Sequence, residues 1–105
     1  MTNEPNNDSL LDTLKITKIQ KRPVGGSWVT GTIGGHAFEA LVFPEPATNP
    51  AFEIPGSNIS KLWLADARRE VVAEFDRGWN TEPRTDAAKR IVDLLAAGLA
   101  EHIYG

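Results

Sequence analysis

Four consecutive residues in the second half of the chain carry side chains that ligand binding and catalysis use. They are Asp76, Arg77, Gly78 and Trp79. An aspartate can act as a general base and an arginine can hold an anion, while glycine permits a sharp turn. Two interpretations follow. The segment is either a structural corner whose tryptophan fills one end of the core, or a binding or enzyme site formed by Asp76, Arg77 and Trp79.

The remaining polar residues match no catalytic or metal-binding pattern. The two histidines, His36 and His102, lack the spacing of a metal site, and the chain has no cysteine. Neither Gly25-Gly26 nor Gly34-Gly35 fits a phosphate-binding loop, and no nucleophile motif surrounds a serine. The sequence therefore favours a protein without catalytic, cofactor or metal sites. The alternative is an enzyme with Asp76 as base and Arg77 as anion clamp.

Composition indicates one globular domain. The 105 residues are 41% hydrophobic and 24% charged, with a net charge of −3. The acidic balance argues against nucleic-acid binding, and no apolar run reaches the roughly 18 residues of a membrane helix. The first residues do not resemble a signal peptide, so we expect a cytoplasmic protein. Polar composition predicts a disordered tail over residues 1–12 and a single domain over residues 13–105.

Two β-hairpins are predicted. Gly34-Gly35 separates two alternating segments and sets a register in which Trp28 faces Leu41 and Gly31 faces Phe38. The second hairpin spans residues 60–76, with a longer turn that begins at Asp66. Its predicted pairs are Leu64 with Val71, Trp63 with Val72, and Lys61 with Glu74. Upstream, the alternation of residues 14–20 breaks near Lys18, which indicates a bulge or strand end.

Three segments resemble one protein family. The sequences ISKLW (59–63) and FDRGW (75–79) are similar to the signature of a small uncharacterised domain family of bacteria and phages. Residues 28–32 (WVTGT) resemble a further strand of that family. The resemblance covers residues 27–105. It implies the fold of a small domain and no activity, because the family's function is unknown.

The last segment is the only predicted helix. Thr85 is a suitable N-cap, and apolar residues recur downstream at three- and four-residue spacing. Gly98 lies on this stripe, which predicts close contact of the helix with the sheet. The predicted fold is therefore α+β, an antiparallel sheet of about four to five strands with the C-terminal helix packed on one face.

The opposite sheet face is the predicted functional surface. It carries Trp28, Leu41, Phe43, Trp63 and Val72, and apolar patches of this kind often mark protein contacts. We therefore expect a protein-interaction module that binds another protein or forms a homodimer. Two alternatives remain: a small ligand-binding protein or enzyme at Asp76-Arg77-Trp79, or a monomer whose patch is covered by the proline-rich loop of residues 44–56 or by the N-terminal strand.

Overall fold

The computed structural model describes residues 7–105, with side chains from residue 10 onward. Helix α1 (Asn7–Asp12) is followed by strands β1 (Lys15–Lys21), β2 (Ser27–Ile33) and β3 (His36–Val42). A short 3-10 helix (Pro50–Phe52) interrupts the loop before β4 (Ile59–Ala65), β5 (Val71–Asp76) and β6 (Trp79–Thr81). Helix α2 (Asp86–Tyr104) ends the chain. The fold class is α+β as predicted, with six strands instead of four or five.

The sheet is an antiparallel meander in which each strand pairs with the next along the chain. The predicted register of the β2–β3 hairpin is confirmed, including Trp28 opposite Leu41. Gly34 and Gly35 both adopt positive φ angles, 56° and 77°, as a two-residue hairpin turn requires. The bulge predicted near Lys18 is also present, because the β1–β2 register shifts between Ile16 and Lys18.

The predicted register of the β4–β5 hairpin is wrong by two residues. Leu62 pairs with Phe75 instead of Ala73, and Trp63 pairs with Glu74 instead of Val72. The turn does begin at Asp66, whose carboxylate Oδ1 accepts hydrogen bonds from two backbone amides of the turn, at 2.9 and 3.0 Å. A shift of two residues leaves the paired side chains of residues 61–64 and 73–76 on their predicted faces, because side chains alternate along a strand.

The core lies between α2 and one face of the sheet. Thr85 caps α2 by accepting a hydrogen bond from the Ala88 amide at 2.9 Å. Buried side chains from both layers meet there; they are Val29, Ile33, Phe38, Ala40, Val42, Ile54, Ile59, Leu62, Leu64, Val72, Ala73, Phe75, Ala88, Ile91, Val92, Leu95 and Leu99. The prediction that Gly98 contacts the sheet is wrong, because a Cβ atom there would meet no neighbouring atom within 4 Å.

The sixth strand follows the Asp76–Trp79 turn. Arg77 and Gly78 both have positive φ angles, 53° and 144°, and the Asp76 amide donates to the Gly78 carbonyl at 2.9 Å. The chain therefore reverses within two residues, and Trp79 returns beside Phe75 with 5.1 Å between ring centroids. Trp79 is partly buried against the core. This arrangement is the structural corner that the sequence suggested.

The structure describes the second half of the segment that the sequence predicts as a tail. Residues 1–6 lie outside the described residues, but Asn7–Asp12 form α1 and Leu10 is only 7% exposed. Thr13 connects this segment to the β2–β3 turn, because its hydroxyl oxygen accepts a hydrogen bond from the Gly34 amide at 2.7 Å. Two adjacent leucines in a polar segment show no helical period, so this packing could not be predicted from sequence.

Candidate functional site

The sheet face opposite α2 is built from two rows of side chains. One row crosses all six strands through successive pairs: Lys18, Thr30, Glu39, Trp63, Glu74 and Thr81. The neighbouring row contains Gln20, Trp28, Leu41, Lys61 and Asp76. Strand alternation alone places these residues together, because they occupy the positions between the core-facing ones.

A groove of about 490 Å³ lies on this face, and we call it the tryptophan groove. Trp28 and Trp63 contribute its two indole rings, and Trp63 is 38% exposed. The charged residues of the groove are Glu39, Lys61, Glu74 and Asp76. In an antiparallel sheet with one solvated face, exposed tryptophans are unusual enough to suggest a contact surface.

The carboxylates of the tryptophan groove are unevenly paired. Asp76 Oδ1 lies 3.8 Å from Lys61 Nζ, in the ion pair that links β4 to β5. Within residues 10–105, neither Glu39 nor Glu74 forms an ion pair. These two glutamates occupy the strand positions on either side of Trp63. An exposed aromatic ring is thus flanked by two carboxylates that form no ion pair within residues 10–105.

A family model described as "Domain of unknown function (DUF7678)" matches residues 27–100. The chain belongs to the DUF7678 family. This confirms the resemblance to a small uncharacterised domain family. The match includes β2 to β6 and most of α2, and therefore both tryptophans of the groove. No curated protein and no solved structure matches the chain.

Two residues that the sequence assigned to the exposed face are buried in this DUF7678 domain. Leu41 is 2% exposed, beside the loop that joins β3 to β4. Val72 is 5% exposed and belongs to the core. Its position was mispredicted because β5 contains a bulge: Leu64 pairs with Ala73 and Ala65 with Val71, which leaves Val72 without a partner strand residue.

The predicted Asp76-Arg77-Trp79 site of the DUF7678 domain is not brought together. Asp76 lies in the tryptophan groove, whereas Trp79 packs against the core on the other side of the sheet. Arg77 belongs to a second groove, with its guanidinium 5.7 Å from the centroid of the Phe52 ring. The three side chains of this tight turn therefore lie in three different places: the tryptophan groove, the arginine groove and the core.

This second groove, which we call the arginine groove, lies between the β1–β2 turn and the proline-rich loop. Its volume is about 610 Å³. Arg22 lies over the Phe43 ring at 6.0 Å on one side, and Arg77 lies over Phe52 on the other. The sequence did not indicate Arg22 or Phe52 as site residues, because both lie in loops where alternation gives no direction.

The histidines of the DUF7678 domain do not form a site. His36 Nδ1 is 2.9 Å from the Gly34 carbonyl oxygen, and His102 is exposed in the last turn of α2. Across the described part of the chain, no group of three or more acidic or histidine side chains could hold a metal ion. Neither helix in residues 7–105 is long and apolar enough to cross a membrane.

Proposed function

We propose that this domain is a protein-interaction module whose tryptophan groove binds a partner segment carrying a lysine or arginine side chain. The observation that carries the proposal is the position of Trp63 between the unpaired carboxylates of Glu39 and Glu74. A cation placed over the ring would gain both the attraction of the aromatic face and the charge of two carboxylates. The net charge of −3 also favours a basic partner.

The charge of the groove favours binding of a different protein over binding of a second copy of the chain. A twofold dimer places the same patch on both subunits, so the interface would hold two copies of both Glu39 and Glu74. Like charges in such positions oppose association. Lys61 offers little compensation, because it already pairs with Asp76. A basic partner is therefore favoured over the homodimer.

The sheet edges provide no better binding surface. The edge strand β1 carries Lys15, Lys18 and Lys21, all exposed, and its ladder is interrupted by a bulge. Lysines and bulges on an edge strand discourage the addition of another strand. The opposite edge, β6, has only three residues. We therefore expect a partner to bind to the side chains of the open face and not to add a strand to either edge of the sheet.

Peptide binding tests this proposal. The probe is a fluorescein-labelled peptide of alternating arginine and glycine, compared with the same peptide containing uncharged citrulline, and the readout is fluorescence anisotropy. We expect saturable binding of the arginine peptide and at least about tenfold weaker binding of the citrulline peptide, since tenfold corresponds to about 1.4 kcal/mol. Equal binding of both peptides would contradict the proposal.

Matched variants separate the groove from general electrostatic attraction. Glu39→Gln with Glu74→Gln removes the two groove carboxylates, and Glu70→Gln with Glu101→Gln removes two exposed ones elsewhere. Both double variants change the net charge equally. We expect only the first to lose peptide affinity. Equal losses would show that the peptide responds to net charge alone. A dimer in light scattering that dissociates on Trp63→Ser substitution would instead identify a second copy as the partner.

A further inference from the structure

The arginine groove has features of a ligand site that the tryptophan groove lacks. Two loops form its walls, with Leu41, Ser60 and Lys61 of the sheet between them. Its volume of about 610 Å³ is within the range of small-molecule sites, about 300–1,000 Å³. The proline-rich loop that forms one wall is fixed internally. The buried Glu53 accepts a hydrogen bond from the Ala47 amide at 3.0 Å, and Asn49 Oδ1 accepts one from the Ala51 amide at 3.0 Å.

Both arginines of the groove are held by aromatic rings. The guanidinium carbon of Arg22 is 6.0 Å from the Phe43 centroid, and that of Arg77 is 5.7 Å from the Phe52 centroid. A cation–π contact uses the charge of the guanidinium and none of its N–H donors, so these donors remain available to other acceptors. Within residues 10–105, neither arginine forms an ion pair. Two guanidinium groups that line one groove therefore have N–H donors without a partner among the described residues.

Among the described residues, the other charged side chains of the groove leave both guanidinium groups without an ionic partner. Lys61 lines the groove together with the arginines, and Glu45 and Glu53 are its carboxylates. Glu53 is buried with its Oε2 on the Ala47 amide, while Glu45 is exposed at the rim. Neither is within ion-pair distance of the arginines. An anion bound between the guanidinium groups would thus satisfy donors that the protein leaves unused.

We propose that the arginine groove binds a small organic phosphate. The phosphate oxygens accept hydrogen bonds from Arg22 and Arg77, because guanidinium groups match the geometry of phosphate oxygens. Lys61, which also pairs with Asp76, lines the same groove, and the rings of Phe43 and Phe52 provide apolar surface for the organic part. The volume exceeds what inorganic phosphate alone would fill, which favours an esterified phosphate.

Titration followed by NMR tests the site. The probes are phenyl phosphate, inorganic phosphate and benzoate, at constant ionic strength maintained with KCl. We expect saturable shifts of the Arg22 and Arg77 Nε–H signals, with phenyl phosphate at least about tenfold tighter than benzoate. Inorganic phosphate should shift the same signals with weaker affinity than phenyl phosphate, because it lacks the organic part that contacts Phe43 and Phe52. Shifts that do not saturate, or that KCl reproduces, would overturn the proposal.

The backbone provides an unusually well matched control. Arg77 and Arg69 are both exposed and both have positive φ angles, 53° and 67°, but Arg69 lies in the β4–β5 turn outside the groove. Glycine accepts this conformation without strain, so Arg77→Gly and Arg69→Gly should both remain folded. We expect Arg77→Gly and Arg22→Ala to lose at least about tenfold in phenyl phosphate affinity, and Arg69→Gly to retain it. Unchanged binding to Arg77→Gly, or equal losses in both glycine variants, would contradict the assignment.

Discussion

Lys61 Nζ lies 3.8 Å from Asp76 Oδ1, and this ion pair stands between the two grooves, since Lys61 lines both of them. The side chains are 39% and 50% exposed. The pair links neighbouring strands on the open face, where the sequence had predicted Lys61 opposite Glu74. The two consecutive residues Asp76 and Arg77 line different grooves: Asp76 lines the tryptophan groove and Arg77 lines the arginine groove.

Removing the ion pair should affect binding more than stability. Asp76→Asn should change the free energy of unfolding by no more than about 1 kcal/mol, because exposed ion pairs contribute little. The same variant should bind phenyl phosphate more tightly, since Lys61 loses its carboxylate partner. Chemical denaturation and the NMR titration measure the two effects. Weaker phosphate binding would show that Lys61 does not contribute charge to the arginine groove.

Gly31 is the glycine whose substitution should most disturb the sheet. A Cβ atom there would clash with the Lys15 carbonyl oxygen and would come within 2.9 Å of the Phe38 ring. We expect Gly31→Ala to destabilise the fold by about 3 kcal/mol, at the upper end of usual overpacking effects. Thr32→Ala, at the next and exposed position, is the control for thermal denaturation. An equal effect in both variants would refute the proposed steric cause.

Gly98→Ala should have the opposite effect. The sequence predicted that this glycine contacts the sheet, but the space around its Cβ position is open. Alanine should therefore stabilise α2 by up to about 1 kcal/mol through helix propensity alone. Thermal denaturation measures the change. A lower melting temperature would restore the original prediction of a close helix–sheet contact.

Leu10 and Leu11 form a matched pair for the N-terminal helix. Leu10 is 7% exposed and Leu11 is 51% exposed. Leu10→Ser should destabilise the domain by about 2 kcal/mol through loss of buried apolar contacts, whereas Leu11→Ser should have little effect. Denaturation curves of the two variants test whether α1 is part of the packed domain. Equal stability would instead support the disordered tail that the sequence predicted.

Local signals explain which parts of the fold could be predicted from the sequence. Gly34-Gly35 fixes a two-residue turn, and a defined turn fixes the whole β2–β3 register. The β4–β5 turn has no such glycine, so two registers that differ by two residues preserve the same alternation. Only backbone pairing decides between them. Trp79–Thr81 was not predicted as a strand because three residues are too short to show any period.

The candidate site was predictable in part for the same reason. Trp28 and Trp63 lie on the predicted face because alternation is insensitive to a shift of two residues. The bulge at Val72 could not be predicted, since it depends on pairing with β4. The position of Glu39 and Glu74 on the open face could have been predicted from the same alternation that indicated the tryptophans. Arg22 and Phe52 depend on loop conformation, which no sequence period describes.

Removing both open-face rings should separate folding from binding. Trp63 is 38% exposed and Trp28 is partly exposed, so Trp28→Ser with Trp63→Ser should lose only part of a total stability of about 5–15 kcal/mol. We expect a folded variant, by circular dichroism, that no longer binds the arginine peptide. Trp79→Ser should be far more destabilising because its ring packs against Phe75. A folded double variant with full peptide affinity would contradict the proposed function.

The three tryptophans also allow the most direct test, because each indole N–H gives its own NMR signal. Trp28 and Trp63 line the tryptophan groove, while Trp79 packs against the core on the opposite side. If the tryptophan groove binds the arginine peptide, we expect titration to cause saturable shifts of the Trp63 and Trp28 indole signals and to leave the Trp79 signal unchanged. Saturable binding that leaves Trp63 unchanged, or that shifts Trp79 instead, would contradict binding in the tryptophan groove.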